Sequence, residues 1–399
     1  MRLRNTETNA VQPLEPVAEP IRIYVCGITP YDTTHVGHAF TYVMFDVLVR
    51  TLRAAGQRVR YVQNVTDIDD DIIRRARELG TTWDHLAAKE TAFFEADMAA
   101  LNVVAPDVFP RASQTIAEIT ELIRTLEAQG HAYLSGGNVY FRVGSVTDYG
   151  RLSRLTREQM ITLSAERGAD PNDPRKHDPL DFILWQAHTA GDPSWPSPWG
   201  DGRPGWHIEC SAMILQHLGK QVDVHGGGAD LIYPHHESEI AQSESITGVR
   251  PFARIWAHVG MVRYHGEKMS KSLRNLVLVR DLLQRYDADS IRVLLLRHHY
   301  REGWEYTEDE LEAAAAWTRR LQDAAAGSGS PEGTPNVAVR AALEDDLDTL
   351  RALGLLEESL LGGDEAWRDA AHILGLRLDR QSIPDREMKK ALGWRAPFS

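Results

Sequence analysis

A chain of 399 residues is too long for one small hydrophobic core. With 43% hydrophobic and 25% charged side chains it sits near the averages of globular proteins, which excludes wholesale disorder, collagen-like repeats and coiled coil. The formal charge of −13, from 44 basic and 57 acidic residues, argues against a sequence-independent grip on nucleic acid, because such a grip rests on neutralising phosphates. No run approaches the roughly 18 uncharged apolar residues of a membrane span, and the opening MRLRNTETNAVQPLEP lacks the apolar core of a signal peptide, so a cytoplasmic protein is expected.

Ile21–Cys26 (IRIYVC) is apolar and β-branched and runs into turn chemistry at GITPYD, which predicts a buried strand ending at Cys26. From Val36 to Ala55 the apolar residues recur at helical spacing and Gly56 closes the segment; Arg58–Val65 then restores a strand. This strand–helix–strand order is a βαβ unit, so a parallel sheet is expected, with ligands beyond the carboxyl ends of its strands, where Cys26 and Asn64 sit. Residues 68–99 and 112–130 read as helices, and 131–205, rich in Gly, Pro and Asp, as an insertion of hairpins and loops. A strand at Val222–His225, a glycine turn at Gly226–Gly228, a helix over His235–Thr247 and a strand at Ile255–Val259 resume the α/β pattern. From about Val279 the periodicity is helical, interrupted by a polar linker at Gly327–Pro335.

Three segments carry chemistry. Thr34-His35-Val36-Gly37-His38 stands where a turn enters a helix, the usual place for anion recognition by helix-terminal N–H groups, although surface histidines at a helix start would also explain it. Lys268-Met269-Ser270-Lys271-Ser272 could carry two ammonium groups to a triphosphate, or be a solvated basic turn. Together, His-x-Gly-His near the first strand and Lys-Met-Ser-Lys-Ser far downstream resemble the joint signature of class I aminoacyl-tRNA synthetases, which form aminoacyl adenylates on a Rossmann-type sheet. In the third segment, Cys26, Cys210 (after Trp206-His207-Ile208-Glu209) and His235-His236-Glu237-Ser238-Glu239 supply thiols and imidazoles from separated loops. Such donors suit tetrahedral zinc, with a position left open for a substrate thiolate.

GRPGWHIECSAM, GGGADLIYPHHESEIAQS and GEKMSKSLRNL resemble cysteinyl-tRNA synthetases over about residues 20–300. CGITPYDTTHVGHA, AERGADP (Ala165–Pro171), SWPSP (Ser194–Pro198), VGM (Val259–Met261) and NLVLV (Asn275–Val279) are more similar to the paralogous ligases of mycothiol biosynthesis, which join cysteine to glucosaminyl-inositol. Only 127 residues follow Lys-Met-Ser-Lys-Ser, and residues 301–399 carry 12 basic against 20 acidic side chains. A helical bundle is therefore expected there rather than an RNA-binding module. Two positions depart from the ligase pattern: Glu239 is kept where the synthetases place a fourth zinc ligand, and Arg274 replaces a glycine after Lys-Met-Ser-Lys-Ser.

The resemblance implies an α/β fold. A Rossmann-type catalytic domain would occupy 1–280, with a connective insertion at about 105–205, followed by a helical domain at 281–399. It implies zinc on Cys26, Cys210 and His235, one per chain, and Mg²⁺ with ATP. His35, His38, Lys268 and Lys271 would stabilise phosphoryl charge. The cysteinyl-adenylate pocket would be lined by Cys26, Gly27, Ile28, Thr29, Thr41, Asn64, Val65, Thr66, Trp206, Gly228, Ala229, Asp230 and Val262. The expected partners are ATP, L-cysteine and glucosaminyl-inositol, acting on a monomer without a membrane or nucleic acid. The alternative is a cysteine–tRNA ligase with a shortened C-terminal region.

Overall fold

The structure, a computed structural model, describes residues 1–31, 34–269, 275–326 and 335–378. The chain begins with β1 (Arg2–Asn5), β2 (Ala10–Pro13), β3 (Ile21–Ile28), α1 (Val36–Ala54), β4 (Val59–Val65), α2 (Asp70–Glu78), α3 (Trp83–Ala100) and α4 (Ile116–Ala128). There follow β5 (Ala132–Ser135), β6 (Asn138–Phe141), α5 (Arg157–Glu166), β7 (Phe182–Ala187), β8 (Gly202–Pro204) and α6 (Trp206–His217). Next are β9 (Val222–Gly228), α7 (Glu237–Thr247), β10 (Ala253–Val259), β11 (Val262–Tyr264), β12 (Glu267–Lys268), α8 (Val279–Leu282), α9 (Ala288–Leu296) and β13 (Trp304–Glu305). The last helices are α10 (Glu308–Ala325), α11 (Val337–Glu344), α12 (Thr349–Leu361) and α13 (Trp367–Ile373).

The expected βαβ unit is present: β3 pairs in parallel with β4 from Ile21↔Val59 to Ile28↔Val65 across the helix α1. On its other side β3 pairs in parallel with β9, Ile23 opposite Val224 and Val25 opposite Gly226, and β10 completes the order β10-β9-β3-β4. The chain leaves β3 toward β4 on one side and later returns to β9 on the other. The order therefore reverses between β3 and β9, and the carboxyl ends of these strands are where such a sheet takes its ligand. Gly27 is required there, because a Cβ would stand 1.5 Å from the Asn64 carbonyl oxygen where β3 and β4 draw together.

The insertion folds as its own antiparallel sheet, β5-β6-β7-β8. The helix α5 inside it, with a Thr156/Gln159 capping box, departs from the reading of 131–205 as hairpins and loops only. Two further expectations are corrected. Gly226–Gly228 is not a turn but the end of β9, where the lack of side chains lets the Phe45 ring approach Gly226. The helix predicted over 68–99 is broken between α2 and α3, where Gly80 takes a left-handed conformation. The linker read at 327–335 lies outside the described residues, apart from Pro335.

One hydrophobic core runs from the sheet strands through α1 into the C-terminal helices, from Leu3 to Leu378. At its centre the fully buried Arg292 of α9 pairs with Asp46 of α1 and donates to the carbonyls of Leu374 (2.6 Å) and Leu101 (2.9 Å). The helix α1 and the helical tail thus share a polar node as well as apolar contacts.

Candidate metal and nucleotide site

Four side chains meet at the carboxyl ends of β3 and β9. Cys26 ends the apolar part of β3, Cys210 lies in the second turn of α6, and His235 and Glu239 flank the start of α7; their donor atoms all lie within 4.8 Å of one another. The Cys26 and Cys210 sulfurs are 3.9 Å apart, close to the edge of about 3.8 Å that follows from tetrahedral zinc with 2.3 Å bonds to sulfur. Cys26 Sγ is 3.6 Å from Glu239 Oε1, which lies 2.8 Å from His235 Nε2. All four residues are buried. Two thiols, an imidazole and a carboxylate suit zinc in donor type and spacing. The sequence left the part of Glu239 open, and the fold places it within the set.

A second, overlapping group of donors, Cys26, His225, His236 and Glu239, shares two members with the first. It holds only one sulfur, and His225 and His236 already have partners. His225 Nε2 is 2.7 Å from Glu239 Oε2, and His236 Nδ1 is 2.7 Å from His258 Nε2. We read these imidazoles as the surround of the two-sulfur site.

The electrostatics agree. Burial opposes ionisation of Glu239, yet the His225 and His235 imidazoles hold its carboxyl at about 2. Burial equally disfavours charge on His235, but Glu239 and Cys210 raise it to about 10. Burial and the neighbouring sulfur push the Cys26 thiol well up, while the proton it donates and the His235 imidazole bring Cys210 down to about 6 against its own burial. Without metal the two sulfurs therefore share one proton. His207 adds Nδ1 at 3.0 Å from His235 Nδ1, and the Trp206 ring stacks on His235 with centroids 4.3 Å apart.

Beside this cluster, the residues predicted to line an adenylate pocket gather along the strand ends. The Gly27 N–H donates to Asn64 Oδ1 at 2.8 Å, and Asn64 Nδ2 donates to Thr66 Oγ1 at 3.2 Å. The Thr66 N–H donates to the Ile28 carbonyl, and the Tyr31 N–H to that of Thr29. The Ile28 side chain belongs to the core and Val65 is fully buried. Gly228 ends β9, and Ala229 and Asp230 form the turn that follows. Thr41 lies on α1 and donates to the Gly37 carbonyl, and Val262 begins β11 across from Gly37.

His35 caps α1: its Nδ1 accepts from the His38 N–H at 3.3 Å, and the two rings stack with centroids 3.7 Å apart. Gly37 permits this, since a Cβ there would meet the His35 ring at 3.0 Å. The segment after Lys-Met-Ser-Lys-Ser is pinned to the same turn, Val36 N–H to the Val277 carbonyl and Val279 N–H to that of Thr34, both at 2.9 Å. The backbone of Lys268 lies in β12 and Met269 is buried, whereas Lys271 and Arg274 fall outside the described residues. The chain from Val277 to Val279 thus lies against the start of α1.

A family model described as tRNA synthetases class I (C) catalytic domain matches residues 12–316. The chain belongs to that family. A relative from Acidothermus cellulolyticus named L-cysteine:1D-myo-inositol 2-amino-2-deoxy-alpha-D-glucopyranoside ligase is 50% identical over 341 residues, covering 84% of each chain. One of the same name from Mycolicibacterium smegmatis is 47% identical over 363 residues, 90% of this chain and 88% of the other. A cysteine–tRNA ligase from Dehalococcoides mccartyi is 43% identical over 402 residues, 95% of this chain and 86% of the other. Among solved structures, the methionyl-adenylate complex of Mycobacterium tuberculosis methionyl-tRNA synthetase superposes with a TM-score of 0.64. It covers 89% of both chains at 17% identity, a likeness of fold.

The sequence reading missed His207, His225, His236 and His258. For His225 and His258 the signal was an imidazole near the carboxyl end of a buried strand of the parallel sheet, the end at which ligands bind. His207 and His236 stand within the motif strings themselves, which give them no part distinct from that of their neighbours.

Proposed function

We propose that the chain is an ATP-dependent ligase that activates L-cysteine as cysteinyl-adenylate and transfers it to the amine of glucosaminyl-inositol, releasing AMP and diphosphate. The observation that carries cysteine as substrate is the Cys26–Cys210–His235–Glu239 cluster at the carboxyl ends of β3 and β9. When bound there, zinc would take the substrate thiolate and refuse an amino acid without sulfur. The acceptor is supported by the names of relatives at 45–50% identity. The acidic tail supports a small acceptor over a phosphate backbone, and no helix among the described residues is long and apolar enough to cross a membrane.

The chain's own residues have these parts. The cysteine carboxylate attacks the α-phosphate of ATP, forming a mixed anhydride and expelling diphosphate. Imidazoles of His35 and His38 and the N-terminus of α1 stabilise the charge that builds on phosphoryl oxygens, with Lys268 and Lys271 from the following loop and Mg²⁺ on the triphosphate. Gly27, which lets β3 close against the Asn64 backbone, would keep the strand ends together beneath the adenylate. Asp230, in the turn after β9, would hold the substrate ammonium. The aminosugar nitrogen then attacks the activated carbonyl, an amide forms and AMP leaves. We assign this chemistry to residues 1–280.

A second reading, cysteine–tRNA ligase, is favoured by Glu239 within the donor set and by the relative from Dehalococcoides mccartyi. One experiment separates them: purified protein with ATP and cysteine, offered glucosaminyl-inositol and tRNA in parallel. AMP release stimulated by the aminosugar and not by tRNA is expected. Saturable transfer to tRNA with no use of the aminosugar overturns the first reading.

A further inference from the structure

The N-terminal hairpin reaches the metal cluster. β1 packs along β10, and the turn that follows it is tied down by backbone and by Asn5. Asn5 Nδ2 donates to the Arg254 carbonyl (3.0 Å), Asn5 Oδ1 accepts from the Trp256 N–H (3.2 Å), and the Thr6 N–H donates to the Trp256 carbonyl (2.9 Å). Arg154 Nη1 donates to the Thr6 carbonyl at 2.8 Å. None of these bonds uses the Thr6 hydroxyl. That oxygen lies 2.7 Å from His258 Nδ1; His258 Nε2 is 2.7 Å from His236 Nδ1; and His236 Nε2 is 3.3 Å from Cys26 Sγ.

The direction of this chain of bonds follows from its last member. A metal-bound thiolate can only accept, so His236 must donate from Nε2. With its proton there, its Nδ1 accepts from His258 Nε2–H, and His258 Nδ1 accepts the Thr6 hydroxyl proton. Every imidazole is neutral, every link has one donor and one acceptor, and the hydroxyl closes the series. Without it a buried ring nitrogen is left unpaired and both rings lose the contact that fixes their orientation.

We infer that Thr6 is a positioning residue for the metal ligand Cys26, acting through His258 and His236. The N-terminal hairpin is therefore part of the metal site. The inference rests on the metal-site reading above, and the test distinguishes the two. Zinc affinity of the full chain is measured by competition with a chromophoric chelator, and cobalt(II) binding by its sulfur charge-transfer absorption. The variants are Thr6→Val, Thr6→Ser and His258→Phe, alone and with Thr6→Val, and circular dichroism of each metal-free protein reports folding.

Thr6→Val should weaken zinc binding by about tenfold, the low end for an outer partner of a ligand. Thr6→Ser should restore it, and Thr6→Val should add nothing once His258 is Phe. Wild-type protein without zinc overturns the metal site itself. One zinc per chain at equal affinity in Thr6→Val, or an equal loss in Val and Ser variants, overturns the relay alone. Should Thr6→Val fail to fold, the His258→Phe variant decides: unchanged zinc affinity and an unchanged cobalt spectrum overturn the relay.

Discussion

The sulfur of Cys26 hydrogen-bonds that of Cys210 at 3.9 Å although 184 residues separate them, and neither is exposed to solvent. One proton is held between them, and a second resides on His235, raised to about 10 beside Glu239. Zinc needs both sulfurs ionised and the imidazole neutral. Binding at pH 7 should therefore release about two protons, one from the thiol pair and one from His235, and affinity should rise with pH, less steeply once His235 has titrated and only the thiol proton is still displaced. Calorimetry in buffers of different ionisation enthalpy counts them. Release of none would mean that the donors are not these groups.

Removing a donor tests the set one member at a time. Cys210→Ala and His235→Ala should each lose zinc as isolated, because each deletes one of three strong ligands. Elemental analysis of purified protein reads this directly. Full occupancy in a Cys26→Ala, Cys210→Ala double variant would remove the site from consideration.

Much of this site was legible before the fold was known, for a physical reason. The ends of β3 and β4, the α1 start and the thiol and imidazole donors are local patterns, and a βαβ unit dictates where strand ends point. What escaped depends on contacts far apart in sequence. His258 meets His236 only because β10 lies beside β9, and Thr6 meets His258 only because the hairpin docks on β10's edge. A threonine in a polar N-terminal stretch carries no pattern that announces this. The continuation of β9 through Gly226–Gly228 was misread because glycine runs usually turn; here Phe45 occupies the room that a side chain at Gly226 would need, and Leu231 crowds the one at Gly227.

Gly27→Ala should be severe. The added methyl would stand 1.5 Å from the Asn64 carbonyl oxygen, which is backbone and cannot swing away, so β3 and β4 must part at their carboxyl ends, where the proposed adenylate pocket lies. A cost at or above the upper end of the roughly 1–3 kcal/mol seen for overpacked cores is expected, with loss of pyrophosphate exchange. Urea unfolding and exchange kinetics measure the two. Wild-type behaviour in both would show that the strands separate freely.

Arg292→Met removes the cation that faces Asp46 and the donor to the Leu374 and Leu101 carbonyls, all in the core joining α1 to the tail. Arg50 Nε remains 2.9 Å from Asp46, so the carboxylate is not wholly abandoned. Breaking such a buried pair typically costs about 3–5 kcal/mol, and a value near the lower end is expected here. Restoring most of it with Asp46→Leu in the same chain would show that the cost was the stranded charge. Equal instability in the double variant would place it in the lost bonds to Leu374 and Leu101 instead.

The last prediction concerns choice of amino acid. Serine differs from cysteine by one atom, and a pocket reading only size separates neighbours of that kind by roughly 10–200-fold. The cluster at Cys26, Cys210, His235 and Glu239 offers discrimination by bond type, since a metal held by two sulfurs takes a thiolate readily while the serine hydroxyl stays protonated. ATP–pyrophosphate exchange should therefore favour cysteine over serine well beyond that range. The same ratio should collapse in His235→Ala, which removes a metal donor while leaving the residues of the α1 start unchanged. Comparable exchange with both amino acids in the wild-type protein would show that sulfur is not what the site reads.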